Sequence, residues 1–196
     1  MTNIGLISLG CSKNLVDSET MLGLLSENKF KIVDKIEDSD VIIVNTCAFI
    51  DSAKQESINT ILDAARYKED GRCKALICAG CLAERYKEEI LTELPEVDAV
   101  IGVGDYPDII SIINNVLDGK KEVRYGRMNE PVEEGLPRMI STPHYTAFIK
   151  IAEGCDNFCS YCAIPYIRGR YRSRRIEDIV NEAKHLSDNG VKEIIV

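Results

Sequence analysis

The 196-residue chain has no tryptophan, only two histidines, and no apolar run long enough to cross a bilayer. With His144 and His185 alone available, chemistry built on imidazole acid–base pairs has little to draw on, and both read as ordinary surface or core residues. The start, Met1-Thr2-Asn3, lacks the basic residues of a secretory signal, which argues against a disulfide-stapled secreted domain. Positive charge is short as well: a net charge of −8 argues against a chain that coats nucleic acid non-specifically. Cysteine, by contrast, is abundant. Eight of them without a signal peptide point to a reducing, cytoplasmic setting, where thiols serve metals or catalysis. A hydrophobic content of 45% is enough for a packed core.

Three of the eight crowd into Glu153-Gly154-Cys155-Asp156-Asn157-Phe158-Cys159-Ser160-Tyr161-Cys162, at spacing C-x3-C-x2-C. A loop this short can wrap three thiolates around one face of an iron–sulfur cube, one per iron, and leave the fourth iron open to a substrate or cofactor. A closed zinc site is the alternative, but it needs a fourth ligand that the loop does not contain. The nearest histidine, His144, lies before the preceding apolar stretch.

Residues 1 to about 118 alternate between short apolar runs and helical patterns. Strands are expected at Ile4 to Leu9, Val41 to Val44, Ala75 to Cys78 and Val97 to Ile101. Helices are expected through Met21 to Leu25, from about Asp51 to Arg66, from about Ala83 to Leu94, and from Pro107 to Gly119. Continuous apolar strands separated by helices imply an open parallel sheet covered on both faces, an α/β fold. Cys11, Cys47 and Cys81 then share one position, each within a few residues after a strand. In such a sheet all those ends point the same way, so topology gathers three thiols that have 35 and 33 residues between them in sequence. Their convergence suggests a second cluster with an open iron; three unrelated small residues at strand ends is the plainer reading. Cys73 and Cys78 do not fit the pattern and read as non-ligands. Asp17, Ser18 and Glu19 read as the polar first turn of a helix, and Gly102-Val103-Gly104 as a turn rather than a dinucleotide fingerprint.

From about Lys120 to His144 the periodicity stops, Pro131, Pro137 and Pro143 intervene, and the stretch reads as a linker. A strand over Tyr145 to Ile151 then feeds the cysteine loop, and a helix through Ile176 to Leu186, ended by Gly190, leads to a further strand. The domains expected are therefore 1–119, a linker at 120–144, and the beginning of a second domain at 145–196. Arg168, Arg170, Arg172, Arg174 and Arg175 follow the loop. They either hold an acidic substrate, a carboxylate or a phosphate, or pair with local carboxylates and fix the domain junction.

The cysteine loop and the following Ala163-Ile164-Pro165-Tyr166-Ile167-Arg168-Gly169-Arg170 resemble the radical S-adenosylmethionine (SAM) superfamily, and within it the methylthiotransferase family. Leu9-Gly10-Cys11-Ser12-Lys13-Asn14, Val44-Asn45-Thr46-Cys47 and Gly80-Cys81-Leu82-Ala83 look like that family's amino-terminal domain. The resemblance implies two [4Fe-4S] clusters, one on Cys155, Cys159 and Cys162 that binds SAM, and an auxiliary one on Cys11, Cys47 and Cys81. It implies that SAM is cleaved reductively to a 5′-deoxyadenosyl radical, which takes hydrogen from an unactivated carbon that then receives a methylthio group. Tyr161 would contact the adenine of SAM through its backbone. The Cys-Ser-Lys-Asn-Leu-Val-Asp-Ser-Glu form is similar to the branch that modifies an aspartate β-carbon of the twelfth small-subunit ribosomal protein. Relatives acting on isopentenyl-adenosine of tRNA tend to carry glutamine after the first cysteine. The implied partners are that ribosomal protein and an external flavodoxin- or ferredoxin-like electron donor, with no membrane. The family's barrel has at least six strand–helix units, so the chain is expected to be a fragment, inactive alone, with any nucleic-acid contact in the missing carboxy-terminal parts. A non-catalytic iron–sulfur electron carrier is the alternative outside enzymes.

Overall fold

The computed structural model describes residues 1–69 and 71–196. Its centre is β3 (Val41–Thr46), β-branched from Val41 to Val44 and buried at every position. In chain order the other elements up to the linker are β1 (Asn3–Ser8), α1 (Ser12–Glu27), β2 (Lys31–Ile32), α2 (Asp51–Glu69), β4 (Ala75–Gly80), α3 (Cys81–Tyr86), α4 (Glu89–Glu93), β5 (Ala99–Ile101), α5 (Ile109–Leu117) and β6 (Glu122–Arg124). The strands form one parallel sheet in the order β2-β1-β3-β4-β5-β6. Alternation along β3 divides the core in two. Ile42 and Val44 pack with Ile61 and Ala65 of α2 and Leu82 of α3. Val41 and Ile43 face the other way, onto Met21 and Leu25 of α1 and Ile109, Ile112 and Ile113 of α5. The expected α/β sheet with helices on both faces is thus the observed one.

Two local expectations are corrected. The helix expected from Ala83 to Leu94 is two short ones, α3 and α4, broken at Lys87, whose φ is +47°. No glycine or proline marks that break in the sequence. β6 lies inside the stretch read as aperiodic linker; three residues, Glu-Val-Arg, on a sheet edge are too few and too polar to show a period.

After residue 131 the chain crosses α1 as an extended strap and enters β7 (Thr146–Phe148), β8 (Ala152–Glu153), α6 (Ile164–Ile167), β9 (Arg172–Ser173), α7 (Ile176–Asp188) and β10 (Glu193–Ile195). β7 and β10 pair in parallel with α7 as the crossover, one β–α–β unit, while β8 and β9 form an antiparallel ribbon flanking the cysteine loop. Among the described residues no helix is long and apolar enough to cross a membrane.

Candidate metal centre

The strand order reverses at β1, whose neighbours are β2 on one side and β3 on the other. There α1 and α2 leave for opposite faces, which opens a crevice beyond the carboxyl ends of the strands, the usual ligand position of an open α/β sheet. Cys11 and Cys47 stand on its two sides, and Cys81 follows the next strand, β4, at the start of α3. Gly10 makes the approach of the first two possible. Its φ is +88°, and a Cβ there would lie 2.8 Å from Cβ and 3.0 Å from Sγ of Cys47.

Side-chain amides hold these loops. Asn14 donates to the carbonyls of Leu9 at 2.7 Å, Thr46 at 3.1 Å and Asn45 at 3.2 Å, so one side chain bonds backbone before Cys11 and before Cys47. Asn45 donates in return to the Asn14 carbonyl and the Ser18 hydroxyl, each at 2.8 Å. Ser57, fully buried on α2, accepts from the Cys47 amide at 3.0 Å and donates to the Cys47 carbonyl at 2.9 Å. Cys11 is exposed, Cys47 half-buried and Cys81 buried. Burial pushes the Cys81 thiol up to about 11, a rise partly opposed by the guanidinium of Arg168 beside it. Cys78 lies inside β4 with no exposure, and burial takes its thiol to about 12; Cys73 is buried too and donates to the Ala75 carbonyl.

The loop of Cys155, Cys159 and Cys162 is closed at its base. The Cys155 amide donates to the Gly169 carbonyl at 3.1 Å, the Cys162 amide to the Cys159 carbonyl at 2.9 Å, and the Tyr171 amide to Asp156 at 3.1 Å. Cys159 is exposed and the other two half-buried. Tyr161 is 87% exposed, so its ring does not pack under the loop. Ile167 of α6 buries itself in the cluster that contains Cys81 and Leu82, which seats this loop against the sheet edge carrying the first cysteine set.

Between the two sets lies a buried charge cluster, of which sequence reasoning offered Arg168 as a junction residue but missed Asp17, Lys150 and Glu153. Asp17 pairs with Lys150 at 2.6 Å and Arg168 at 2.9 Å, and Glu153 with Lys150 at 2.5 Å and Arg168 at 3.1 Å. All four are at least nine-tenths buried. Burial alone would raise the Asp17 carboxyl, but Lys150 and Arg168 hold it below its ordinary 3.8. Glu19 is likewise buried, bonded to Arg138 and to the amide and hydroxyl of Ser141 at 2.8 Å. The reading of Asp17, Ser18 and Glu19 as an ordinary polar turn is therefore corrected: Asp17 and Glu19 anchor the second half of the chain, while Ser18 bonds Ser8 and Asn45 within the first. The sequence offered only Asp17 and Glu19, two positions apart in a helix of mixed polar and apolar residues.

The arginine run divides the same way. Arg168 pairs with Asp17 and Glu153, and Arg174 with Glu134 and Glu182, so these two fix the junction, while Arg175 pairs locally with Asp178 at the start of α7. Arg170 and Arg172 have no carboxylate partner among the described residues.

Among the described residues no three His, Cys, Asp or Glu side chains converge tightly enough to hold a single metal ion. A four-iron cube asks for a different arrangement, with one thiolate per corner spread around an inorganic core. The donor set fits it: two groups of three thiols, one from three separated loops and one from a single loop, with Gly10 clearing space beside Cys47.

Comparison with known proteins bears on the same two regions. The model described as "Uncharacterized protein family UPF0004" matches residues 3–102, and the Radical SAM superfamily model matches residues 149–196. The chain is 55% identical over its whole length to the ribosomal protein uS12 methylthiotransferase RimO of Desulforamulus reducens, of which it covers 44%. It is 52% identical over 98% of its length to RimO of Pelotomaculum thermopropionicum and 53% identical over its whole length to that of Clostridioides difficile, covering 44% of each. The chain thus spans less than half the length of these curated relatives.

Proposed function

The chain belongs to the family described as UPF0004, and we propose that it is the amino-terminal part of a radical SAM methylthiotransferase acting on an aspartate of ribosomal protein uS12. The observation that carries the reading is the pairing of two cysteine triads on one edge of the sheet, three at strand ends and three in the loop packed against them. Cys155, Cys159 and Cys162 would hold the cluster that binds SAM, and Cys11, Cys47 and Cys81 the auxiliary one. Bound there, cluster and SAM together supply a one-electron cleavage whose organic radical can take hydrogen from an unactivated C–H bond.

The chain's own residues position and shield. The closed base of the loop fixes where its three thiols point. Tyr161, with its ring free, offers its backbone to the adenine of SAM. Arg170 and Arg172, without carboxylate partners among the described residues, are the members of the arginine run open to a substrate carboxylate. An outside flavodoxin- or ferredoxin-like donor would supply the electron. The acidic character of residues 1–144 supports a protein rather than an RNA substrate: residues 145–196 hold 8 Lys and Arg against 7 Asp and Glu, which leaves −9 on the remainder.

A version completed to the relatives' length, reduced and supplied with SAM, is expected to add the methylthio increment to uS12 by mass spectrometry and leave isopentenyl-adenosine tRNA unchanged. The increment on tRNA and not on uS12 would reverse the substrate assignment.

A further inference from the structure

Arg168 does more than balance charge. Resting on the reading of Cys11, Cys47 and Cys81 as ligands of one cluster, we propose that Arg168 is a positioning residue for that cluster: its guanidinium donates to the Cys81 sulfur and ties all three ligand loops to the segment carrying the other triad.

The guanidinium is split between two tasks. One terminal nitrogen serves the carboxylates of Asp17, at 2.9 Å, and Glu153, at 3.1 Å. The other points away from them, to the Cys81 Sγ at 3.7 Å and the Asn14 Oδ1 at 3.1 Å. Asn14 in turn holds the carbonyls of Leu9 and Thr46, next to the loops of Cys11 and Cys47. Arg168 therefore reaches Cys81 directly and the other two loops through one amide. A structural ion pair alone would need only the first nitrogen. The residue is 2% exposed, so its charge and its N–H groups act in a low-dielectric setting. Lys150 and Arg168 together match Asp17 and Glu153, so the cluster of side chains is neutral before any thiolate forms. A thiolate at Cys81 would add the negative charge that the second nitrogen already faces.

Hydrogen bonds and positive charge at cluster sulfurs favour the more negative, reduced form and raise the potential. Partners behind the ligands also contribute typically about 10–100-fold to metal affinity. Lysine can keep a charge for Asp17 and Glu153 but lacks the planar fork that serves both directions at once.

The test uses the chain with Cys155, Cys159 and Cys162 changed to alanine, so that one cluster remains, with and without R168K. Circular dichroism and a thermal melt establish that both are folded. An EPR-monitored dithionite titration is expected to place the R168K cluster at a more negative potential, the reduced-to-oxidised ratio falling at least about tenfold, or about 59 mV for one electron. Iron is expected to pass to a chelator at roughly tenfold lower chelator concentration. If R168K does not fold, the chain with Arg168 intact and 15N-labelled arginine decides. Pulsed EPR of its reduced cluster should show an arginine nitrogen coupling. A folded R168K with unchanged potential, or no such coupling, overturns the role of Arg168. Absence of iron from the alanine background itself, before Arg168 is touched, overturns the ligand assignment beneath it.

Discussion

Glu84 stands three residues after Cys81, with its carboxylate buried at the turn beyond β5. It accepts the Val103 amide at 3.0 Å, beside Asp105. Burial, aided by the Asp105 charge, pushes its carboxyl from the ordinary 4.5 up to about 7. A folded-state value above the unfolded one means that the native state holds the proton more tightly. The contribution to stability is then full below about pH 4.5 and lost as pH rises through about 7. Asp105, raised mainly by its own burial and partly restrained by Arg127, slopes in the same direction. Asp17 is depressed instead, so its contribution holds above 3.8 and falls away only in more acid solution, outside this window. Glu84→Gln is expected to match the unaltered protein at pH 4.5 and to be more stable by roughly 2–3 kcal/mol at pH 8. Urea melts at a series of pH values check this. Equal pH slopes for the two proteins would show that Glu84 titrates normally.

Helix α1 joins the two halves. From its first turns Lys13 donates to the Ala152 carbonyl at 2.7 Å, Asn14 and Asp17 meet Arg168, and Glu19 holds Arg138 and Ser141. The strap crosses the helix at Gly23, where the Met139 amide donates to the Glu19 carbonyl at 3.0 Å. A Cβ at Gly23 would lie 2.3 Å from the Pro137 carbonyl oxygen and 2.8 Å from the Arg138 nitrogen, both backbone and unable to swing aside. Helix propensity alone favours alanine over glycine by about 1 kcal/mol. Packing is expected to reverse that sign. Gly23→Ala should lower stability and open residues 132–144 to limited proteolysis, with cleavage read by mass spectrometry. A variant that gains stability and resists protease equally would mean that the strap does not need this crossing.

The sheet was legible because β1, β3 and β4 read as short apolar runs, the last two buried at every position; the positions of Cys11, Cys47 and Cys81 just after strands follow from that. The β–α–β unit at the end was legible from the period of α7 and from Gly190. The junction was not. Asp17 meets Lys150 across 133 residues and Arg168 across 151, and no local pattern distinguishes a carboxylate with so distant a partner from one facing solvent. β6 escaped for want of length, and the α3–α4 break for want of a marker residue. For the candidate site, the residue types and strand ends could be read from the chain, but the side chains that hold them in register, Ser57 and Arg168 above all, required the fold. The account as a whole rests on two triads each holding a cluster. Its most direct test is the iron content of the anaerobically reconstituted chain. About eight irons are expected, falling to about four when Cys11, Cys47 and Cys81 become alanine and to about four when Cys155, Cys159 and Cys162 do. Undiminished iron after the first triple change would contradict it.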